Sequence, residues 1–484
     1  MNRFRPTLRV FGMLLMGFSL TMLVPLLLSW ALHDGAESAY DEAFLLTFGT
    51  GLGLWWATHR DKRDLKVRDG FLMVVLVWTV LPAFASLPLI LNLDISFTDA
   101  YFEAVSGLTT TGSTVLANLD KLPPSINVWR GLLVWLGGMG LIVLAVAVLP
   151  LLGIGGRQMF KAEAPGPMKD SQLTPRMAQT AKGLWVVYTL ITVACIASFK
   201  LAGMDWLDAF VHSFSVMGLG GFSTHDASFG HFDSPLLEGI AVVFMLVASL
   251  NFATHYLALH GRSLEAYRKD PEAPWVMMTL IGSVLGIAAY LYALEVYPDF
   301  ATALRHSAFN VVSIASTTGL ATVDYNLWPM FAPLWMLFLC SFATSAGSTG
   351  GGIKMIRALI LYKQVYRELV RAMHPSAVWP VRIGGGVVPQ NILTAVLAFG
   401  FAYMCIIVAL TLAMSFTGLD IVTAFSAVVA SLNNTGPGLN QVGPATTFAV
   451  LTDVQTWICI VAMLLGRLEI FTLLVVLSPA FWRR

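Results

Sequence analysis

Charge is scarce in this sequence. Asp, Glu, Lys and Arg together supply 12% of its 484 residues, about half the share usual in soluble domains, while hydrophobic residues supply 57%. A soluble globular chain is excluded. The net charge of +1 gives no ground for a nucleic-acid partner; the information lies in where the charges sit. Cysteine is scarcer still. Cys195, Cys340, Cys405 and Cys459 all fall inside apolar runs, with no metal-ligand spacing and no pair arguable as a disulfide, and they read as small buried apolar residues. No serine–histidine–acid set and no paired carboxylates can be assembled, so neither an enzyme nor an organic cofactor is expected. Behind Arg3, Arg5 and Arg9 the apolar run to Trp30 is too long for a signal peptide and lacks a small-residue cleavage site, so it reads as a retained first helix.

What the chain has in quantity is long apolar runs, the mark of a polytopic membrane protein. Helices are expected over 8–32 and 42–58. Residues 33–41 between them hold Asp34, Glu37 and Asp41 and no Lys or Arg, whereas Arg60, Lys62, Arg63, Lys66 and Arg68 follow. By the positive-inside rule the basic segment and the N-terminus are cytoplasmic. The remainder reads as one plan used four times: long helix, short helix, glycine frame, long helix. The first long helices begin near 71, 184, 275 and 391, and the second ones run over 129–152, 235–259, from 328, and 453–482. Basic stretches join the copies (Arg157, Lys161, Lys169, Arg176 and Lys182, then Arg262, Arg268 and Lys269), and Arg483 and Arg484 close the chain. Segments just after the glycines carry Asp226, Asp233, Asp324 and Asp453, with Lys121 the exception. Every frame is thus expected outside and every junction inside, which makes the copies parallel repeats about an axis along the membrane normal.

Four glycines anchor these copies: Gly112 in Thr-Thr-Thr-Gly-Ser, Gly221 in Gly-Leu-Gly-Gly-Phe, Gly319 in Ser-Thr-Thr-Gly-Leu and Gly436 in Asn-Asn-Thr-Gly-Pro. Aligned on them without gaps, the twelfth residue back is Ala100, Ala209, Ser307 and Ala424, and the sixth back is Ser106, Ser215, Ser313 and Ala430. The short segments ahead of the glycines have about twelve residues, roughly 18 Å of helix, too short for a hydrocarbon core of about 30 Å. They must dip in and return, which is tolerated where backbone is buried in protein or lines a watery cavity. The expected fold is therefore all-α and polytopic, with about ten transmembrane helices and four re-entrant pore helices around a pseudo-fourfold pore. The expected divisions are an N-terminal helix pair over 1–69 and pore repeats over 70–182, 183–274, 275–390 and 391–484.

A dehydrated cation needs oxygens where its water was, and rings of backbone carbonyls supply them. Side chains at equivalent filter positions differ (Thr110, Leu219, Thr317, Asn434) while the glycine does not change, which points to backbone rather than side-chain ligands. Each short helix also aims the negative end of its dipole at the frame. With these features the chain resembles the Trk/Ktr/HKT superfamily of potassium transporters, in its bacterial TrkH-type branch. The residues that carry the resemblance are 107–115, 220–226, 316–322 and 433–439, together with Ala-Gly-Ser-Thr-Gly-Gly-Gly-Ile-Lys (346–354) and Gly-Arg-Leu-Glu-Ile-Phe (466–471). The resemblance spans nearly the whole chain. It implies K⁺ held by carbonyls of Thr111, Gly112, Gly220, Gly221, Thr318, Gly319, Thr435 and Gly436, with Thr110, Leu219, Thr317 and Asn434 as outer candidates. Plant members that carry Na⁺ often have Ser at the first filter glycine; Gly112 favours K⁺.

The second helix of the third copy is interrupted. Residues 328–342 are apolar and give only about 22 Å of helix. Gly347, Ser348, Thr349, Gly350, Gly351 and Gly352 follow, then Lys354. Three glycines in a row argue for an unwound loop. A phosphate loop is excluded, because Lys354 comes one residue late and Met355 stands where Ser or Thr is needed. A polar loop inside the pore below the filter is expected, since lipid would leave its backbone unpaired. Arg467, in the second helix of the fourth copy, must face the bundle interior and find carbonyls or Glu469. At roughly 6 Å and an effective dielectric of about 20, its repulsion of a cation is near 3 kcal/mol. Loop 343–352 and Arg467 together make a gate, as the resemblance also implies. His212 and His306 are expected to be packing or hydrogen-bonding groups, and Lys200 and Arg130 to snorkel at helix ends.

The resemblance further implies a homodimer in the lipid of a bacterial inner membrane, both termini cytoplasmic, and a cytoplasmic nucleotide-binding regulatory ring of the TrkA type. The basic junctions near 156–182 and 363–390 suit its docking. Two other readings are a Na⁺-permeable or poorly selective member of the same superfamily, and a secondary transporter for an organic solute. The latter wants a midplane pocket with substrate-pairing charges and usually inverted repeats, and the sequence shows neither.

Overall fold

The computed structural model describes residues 4–60, 66–143 and 177–483. Among these the elements are helices apart from one hairpin, Arg382–Ile383 paired antiparallel with Gly386–Val387. The chain opens with a span over Arg5–Leu32 and a helix over Glu37–Thr58. The two cross at Gly12 and Gly51. A Cβ at Gly12 would stand 2.7 Å from the Gly51 carbonyl oxygen, and one at Gly51 would stand 2.8 Å from that of Gly12. Small residues let backbones approach this closely where lipid supplies no hydrophobic drive between helices.

The second helix begins at Glu37, more than a turn ahead of the expected 42. His33 ends the first span in a left-handed cap (φ 53°), and Asp34 accepts from the Ser29 hydroxyl and the Ala36 N–H. The turn is thus finished by Ala36, and Glu37 enters the first helical turn, where the positive dipole end favours an acid. Lys62 and Arg63 of the expected basic segment lie outside the described residues. Arg68 donates to the Arg483 carbonyl (2.9 Å) and lies over the Phe481 ring (4.8 Å), so the start of the first repeat and the end of the chain share one face.

Five helices among the described residues are long and apolar enough to cross a membrane, and seven if each bent pair counts as one span. Glu37–Thr58 and Pro124–Val143, at 22 and 20 residues, also have the length, and the interrupted helix of the third copy brings the total to the expected ten. Between the spans lie four short helices, Phe97–Leu108, Trp206–Gly218, Phe300–Ala315 and Ile421–Leu432. All four start the same way. The side chains of Ser96, Asp205, Asp299 and Asp420 accept the N–H of Asp99, Asp208, Thr302 and Thr423, satisfying a donor that a helix start leaves over. All four end against a glycine frame, their last turns fully buried.

The second helices break more often than the sequence led us to expect. In the second copy Pro235–Ser249 and Phe252–Gly261 meet at 98°, where Leu250 is extended and the Asn251 side chain caps the new helix by accepting from Ala253. In the fourth, Asp453–Arg467 and Phe471–Leu477 meet at 111°, through Glu469 and Ile470 at φ 51° and 58°. No proline or glycine run marks either site, and burial inside the bundle makes the lost helical bonds tolerable. The helix of the third copy is also shorter than expected: it covers Phe331–Leu339, since Trp328 is extended and closes a preceding turn. The expected extension of the first copy's helix to 152 lies outside the described residues, as do Arg157, Lys161, Lys169 and Arg176.

Cys195, Cys340 and Cys459 are buried as expected, but Cys405 is exposed, on the outward side of Gln390–Phe416. Lys200 does reach out, donating to the Met204 carbonyl (3.0 Å) beneath Trp206. Arg130 does not snorkel. It is fully buried, pairs with Glu103 (2.8 Å), donates to Asn127 Oδ1 (3.1 Å) and the Ser223 carbonyl (3.0 Å), and lies over Phe222 (4.3 Å). Glu103 in turn accepts from the Thr114 hydroxyl and the Val115 N–H. An acid on the short helix, not visible as a partner from sequence spacing, draws the arginine inward and ties the first copy to the second. Removing one partner of such a pair strands a buried charge at a cost of about 3–5 kcal/mol. Glu103→Gln is therefore expected to lower the thermal midpoint of the purified protein by many degrees, and a midpoint within a degree of wild type would refute the clamp.

Candidate functional site

Thr110, Leu219, Thr317 and Asn434 share one backbone state despite their different side chains. Their φ angles are 55°, 53°, 64° and 53°, in the left-handed region that such residues seldom occupy. Each turns the chain sharply out of its short helix. The next residue donates its N–H back into the helix: Thr111 to the Ser106 carbonyl (2.8 Å), Gly220 to Ser215 (3.0 Å), Thr318 to Ser313 (2.8 Å) and Thr435 to Ala430 (2.9 Å). The serine hydroxyls then reach past the glycine. Ser106, Ser215 and Ser313 donate to the carbonyls of Ser113, Phe222 and Leu320 at 2.6, 2.5 and 2.6 Å. Ala430 has no hydroxyl, and in the fourth copy Ser426 binds the backbone of Leu439 instead.

The four frames close a ring. A Cβ on Gly112 would lie 2.4 Å from the Gly220 carbonyl oxygen, one on Gly221 2.5 Å from that of Thr318, one on Gly319 2.1 Å from that of Thr435, and one on Gly436 2.9 Å from that of Thr111. Each glycine thus packs against the carbonyl that precedes the glycine of the next copy, in the order one to two to three to four and back to one. No side chain fits, and the glycines also need positive φ (59–101°). Both demands favour glycine, and any other residue there would force the neighbouring carbonyl to move. The ring brings together all eight of Thr111, Gly112, Gly220, Gly221, Thr318, Gly319, Thr435 and Gly436.

On one side the ring opens into a vestibule lined by Gly112, Gly221, Gly319, Pro437, Arg130 and His225 among others. Thr110, Leu219, Thr317 and Asn434 lie at the edge away from the vestibule, because their left-handed turn belongs to the end of the short helix. Thr317 Oγ1 there accepts the Gly351 N–H (2.9 Å), and Asn434 Nδ2 donates to Thr111 Oγ1 (3.0 Å) and to the Met463 carbonyl (3.1 Å). His212 is buried between the Asp208 carbonyl and Ser223 Oγ (both 2.9 Å), and His306 stacks on Tyr297, which makes both structural. At the vestibule rim burial pulls His225 down, but its contacts with Asp208 and Asp120 outweigh this and raise it above the usual histidine value. Hydrogen bonding to His225 holds Asp120 below the usual carboxylate range.

The polar loop lies under the other side of the ring, buried throughout its centre. Thr349 donates its hydroxyl to the Met217 carbonyl (3.0 Å), Ser345 its N–H to the Ser249 carbonyl (2.9 Å), and Gly347 accepts from the Phe252 N–H (3.1 Å). The Thr344 hydroxyl closes the loop on the Gly351 carbonyl (3.0 Å). A Cβ on Gly351 would stand 1.9 Å from the Asn433 carbonyl oxygen, so the loop also touches the fourth short helix. Lys354 bends back to the Gly350 carbonyl and toward Ser348 Oγ (3.5 Å). Gly352 sits against the carbonyls of Cys340 and Ser341, where the loop leaves its helix. Arg467 is buried and binds carbonyls, Thr349 at 3.1 Å and Gly137 at 2.9 Å, joining the loop to the first copy. Glu469 takes no part in this and pairs with Arg357 (2.7 Å).

Sequence reasoning missed Glu272. Its buried carboxylate accepts the N–H groups of Ala346 and Ile356, both at 3.0 Å, and so pins the two feet of the loop. An acid at the start of a span is unremarkable in sequence; the contact spans more than seventy residues. Several buried side-chain atoms around the ring and loop have no protein partner, among them Thr110 Oγ1, Asn434 Oδ1, Thr435 Oγ1 and Arg467 Nε. Such groups are ordinarily satisfied by water or ions. A carbonyl ring between a watery vestibule and a plug of polar backbone can strip water from a cation and pass it on.

Comparison with known proteins agrees with this architecture. A family model described as TrkH, cation transport protein, matches residues 37–484. The Trk system potassium uptake protein TrkH of Salmonella typhimurium is 46% identical over 99% of this chain and 99% of its own, and TrkI of Halomonas elongata is 34% identical over 100% and 98%. The crystal structure of the potassium transporter TrkH from Vibrio parahaemolyticus superposes with a TM-score of 0.92 at 44% identity, covering 99% of this chain and 100% of that one. A transporter rather than an enzyme, the chain belongs to the TrkH family of cation transport proteins.

Proposed function

We propose that this chain is the K⁺-selective conducting subunit of a bacterial potassium uptake system, with the ion passing through the ring of carbonyls at Thr111–Gly112, Gly220–Gly221, Thr318–Gly319 and Thr435–Gly436. The observation that carries this is the closed ring itself: four glycines, each packed on a neighbour's carbonyl at 2.1–2.9 Å of a would-be Cβ, bring backbone oxygens of all four copies together. The names of the relatives, potassium uptake and transport proteins, support the choice of ion. The loop with Arg467 acts as the gate. Its support is the guanidinium bound to Thr349 and Gly137 beneath the ring, where its charge opposes a cation. The repeats divide the chain near 70, 183, 275 and 391.

The vestibule faces outward and both termini inward, in a bacterial inner membrane. Asp226, Asp233 and Asp324 on the vestibule side, and Arg68 beside Arg483 on the other, support this by the positive-inside rule. Lipid covers outward side chains such as Leu285, Phe401 and Leu412. A homodimer and a TrkA-type nucleotide-binding ring complete the system. The helix Met355–Met373 supports a docking role, since Tyr362, Val365, Tyr366 and Leu369 are exposed among its basic residues. Of the other basic junction, 156–176 lies outside the described residues.

⁸⁶Rb⁺ uptake into liposomes holding the purified protein tests the filter, with K⁺ or Na⁺ outside as competitor. K⁺ is expected to compete far better. Gly112→Ser puts a Cβ 2.4 Å from the Gly220 oxygen and is expected to cost at least about tenfold of that preference. Equal competition by Na⁺ in the wild type would refute K⁺ selectivity. Arg467→Ala, or a loop shortened within 347–352, is expected to raise the flux severalfold, up to about a hundredfold from the charge alone. Unchanged or lower flux in well-folded variants would refute the gate.

A further inference from the structure

The vestibule rim carries a set of ligands that the carbonyl ring does not use. Asp120 on the turn Leu119–Lys121, His225 just past the second frame and His231 on the turn Ser228–Phe232 bring one carboxylate oxygen and two imidazole nitrogens within 4.8 Å of one another. Their loops are also clasped to each other through Asp120 and Asp226. The Asp226 N–H donates to Asp120 (3.2 Å), and Asp226 accepts the Leu119 N–H (3.0 Å). The rings of His225 and His231 lie parallel, centroids 3.5 Å apart and 4° between planes, so the exposed His231 ring has to turn about its side-chain bonds for both in-plane lone pairs to meet one ion.

The far side of His225 is fixed as well. Its Nε2 faces Asp208 Oδ2 at 3.1 Å, and the other oxygen of Asp208 accepts the Thr224 hydroxyl (2.5 Å). With the Nε2 proton donated to Asp208, Nδ1 is the nitrogen that faces Asp120, and a metal bound there would displace the Nδ1 proton that Asp120 accepts. A carboxylate behind an imidazole fixes its tautomer and strengthens it as a metal ligand. Two imidazoles and a carboxylate suit Zn²⁺, Co²⁺, Ni²⁺ or Cu²⁺ and are poor ligands for alkali ions, which take oxygen alone. Asp120 and His231 are exposed, so water reaches the cluster and can fill the remaining positions of the metal.

We propose that Asp120, His225 and His231 form a binding site for a transition-metal dication, with zinc as its type, at the rim of the vestibule, and that a dication held there opposes entry of the transported cation. His225 lines the same vestibule as Gly112, Gly221 and Gly319. The site also bridges the post-filter loops of the first two copies. Only the second half of the proposal rests on the transport reading.

Equilibrium dialysis of the purified full chain against zinc at pH 8 tests the site, with the visible spectrum of the cobalt form as a second readout. A single zinc per chain is expected. His231→Asn, at an exposed position, should weaken it at least tenfold and abolish the cobalt bands. Asp208→Asn should weaken it by about 10–100-fold through the orientation of His225. Zinc added outside wild-type proteoliposomes should slow ⁸⁶Rb⁺ uptake, a chelator should restore it, and His231→Asn should resist. Absence of stoichiometric binding, or equal binding by wild type and His231→Asn, overturns the site. Binding without any slowing overturns the effect on entry. Absence of ⁸⁶Rb⁺ uptake before zinc is added would instead count against the transport reading, and the dialysis would still decide the site.

Discussion

The arrangement depends on a contact between main-chain atoms alone: a glycine of one copy against a carbonyl of the next, repeated until the circle closes. At Gly319 a methyl group would lie 2.1 Å from the Thr435 oxygen, well inside any van der Waals distance. Because no side chain intervenes, the width of the ring follows from backbone geometry, and the chain is free to vary the residues around it. That is why Thr110, Leu219, Thr317 and Asn434 differ in chemistry and agree in φ. The capped starts of the short helices, the serine tethers and the Arg130–Glu103 clamp all hold this ring in register. The fourth wall does without the serine tether and is held instead by Ser426 and by the bond from Ser113 Oγ to the Gly436 carbonyl (2.8 Å).

The two sides of the ring are built differently. The vestibule side is fastened by charged pairs and by loops clasped across copies, such as Arg305 of the third copy against Glu238 of the second (2.6 Å). On the other side, three second helices are broken in the described residues, and their ends turn through 98° and 111° or unwind into the polar loop. An interrupted helix gives up hydrogen bonds that membrane surroundings make costly, so it persists only inside protein or beside water. Here the freed backbone is reused: the loop binds the Ser249 carbonyl, Arg467 binds the Thr349 carbonyl, and the Gly351 N–H donates to Thr317 Oγ1.

The parts legible in the sequence were those encoded by local pattern. Gly112, Gly221, Gly319 and Gly436 stood in register, Ser106, Ser215 and Ser313 stood six places back, and the glycine run after Ser348 marked the loop. Ala430 was visible as an exception, though not what replaced it. The parts that were not legible depend on contacts distant in sequence. Glu103 finds Arg130 across 27 positions and Glu272 finds Ala346 across 74. The breaks after Ser249 and Arg467 carry no run of glycines, because their stability comes from packing rather than propensity. Nor could spacing show that His225 and His231 would stack beside Asp120, since that pairing needs the first and second copies side by side.

The fastening of the polar loop has an energetic corollary. It is held to the rest of the bundle by neutral hydrogen bonds, by Arg467 on the Thr349 carbonyl and by the Glu272 carboxylate on two N–H groups, with no ion pair across its centre. At about 1 kcal/mol net for each neutral bond and about 1.5–3 kcal/mol for each one to a charged group, no single bond dominates the fastening. Inverting a two-state population from 1:99 to 99:1 takes about 5.5 kcal/mol of differential affinity. A ligand or partner that favours one loop position therefore needs to redistribute an existing equilibrium rather than break a locked structure. The bonds that hold the loop in place are individually weak enough to be exchanged for water one at a time.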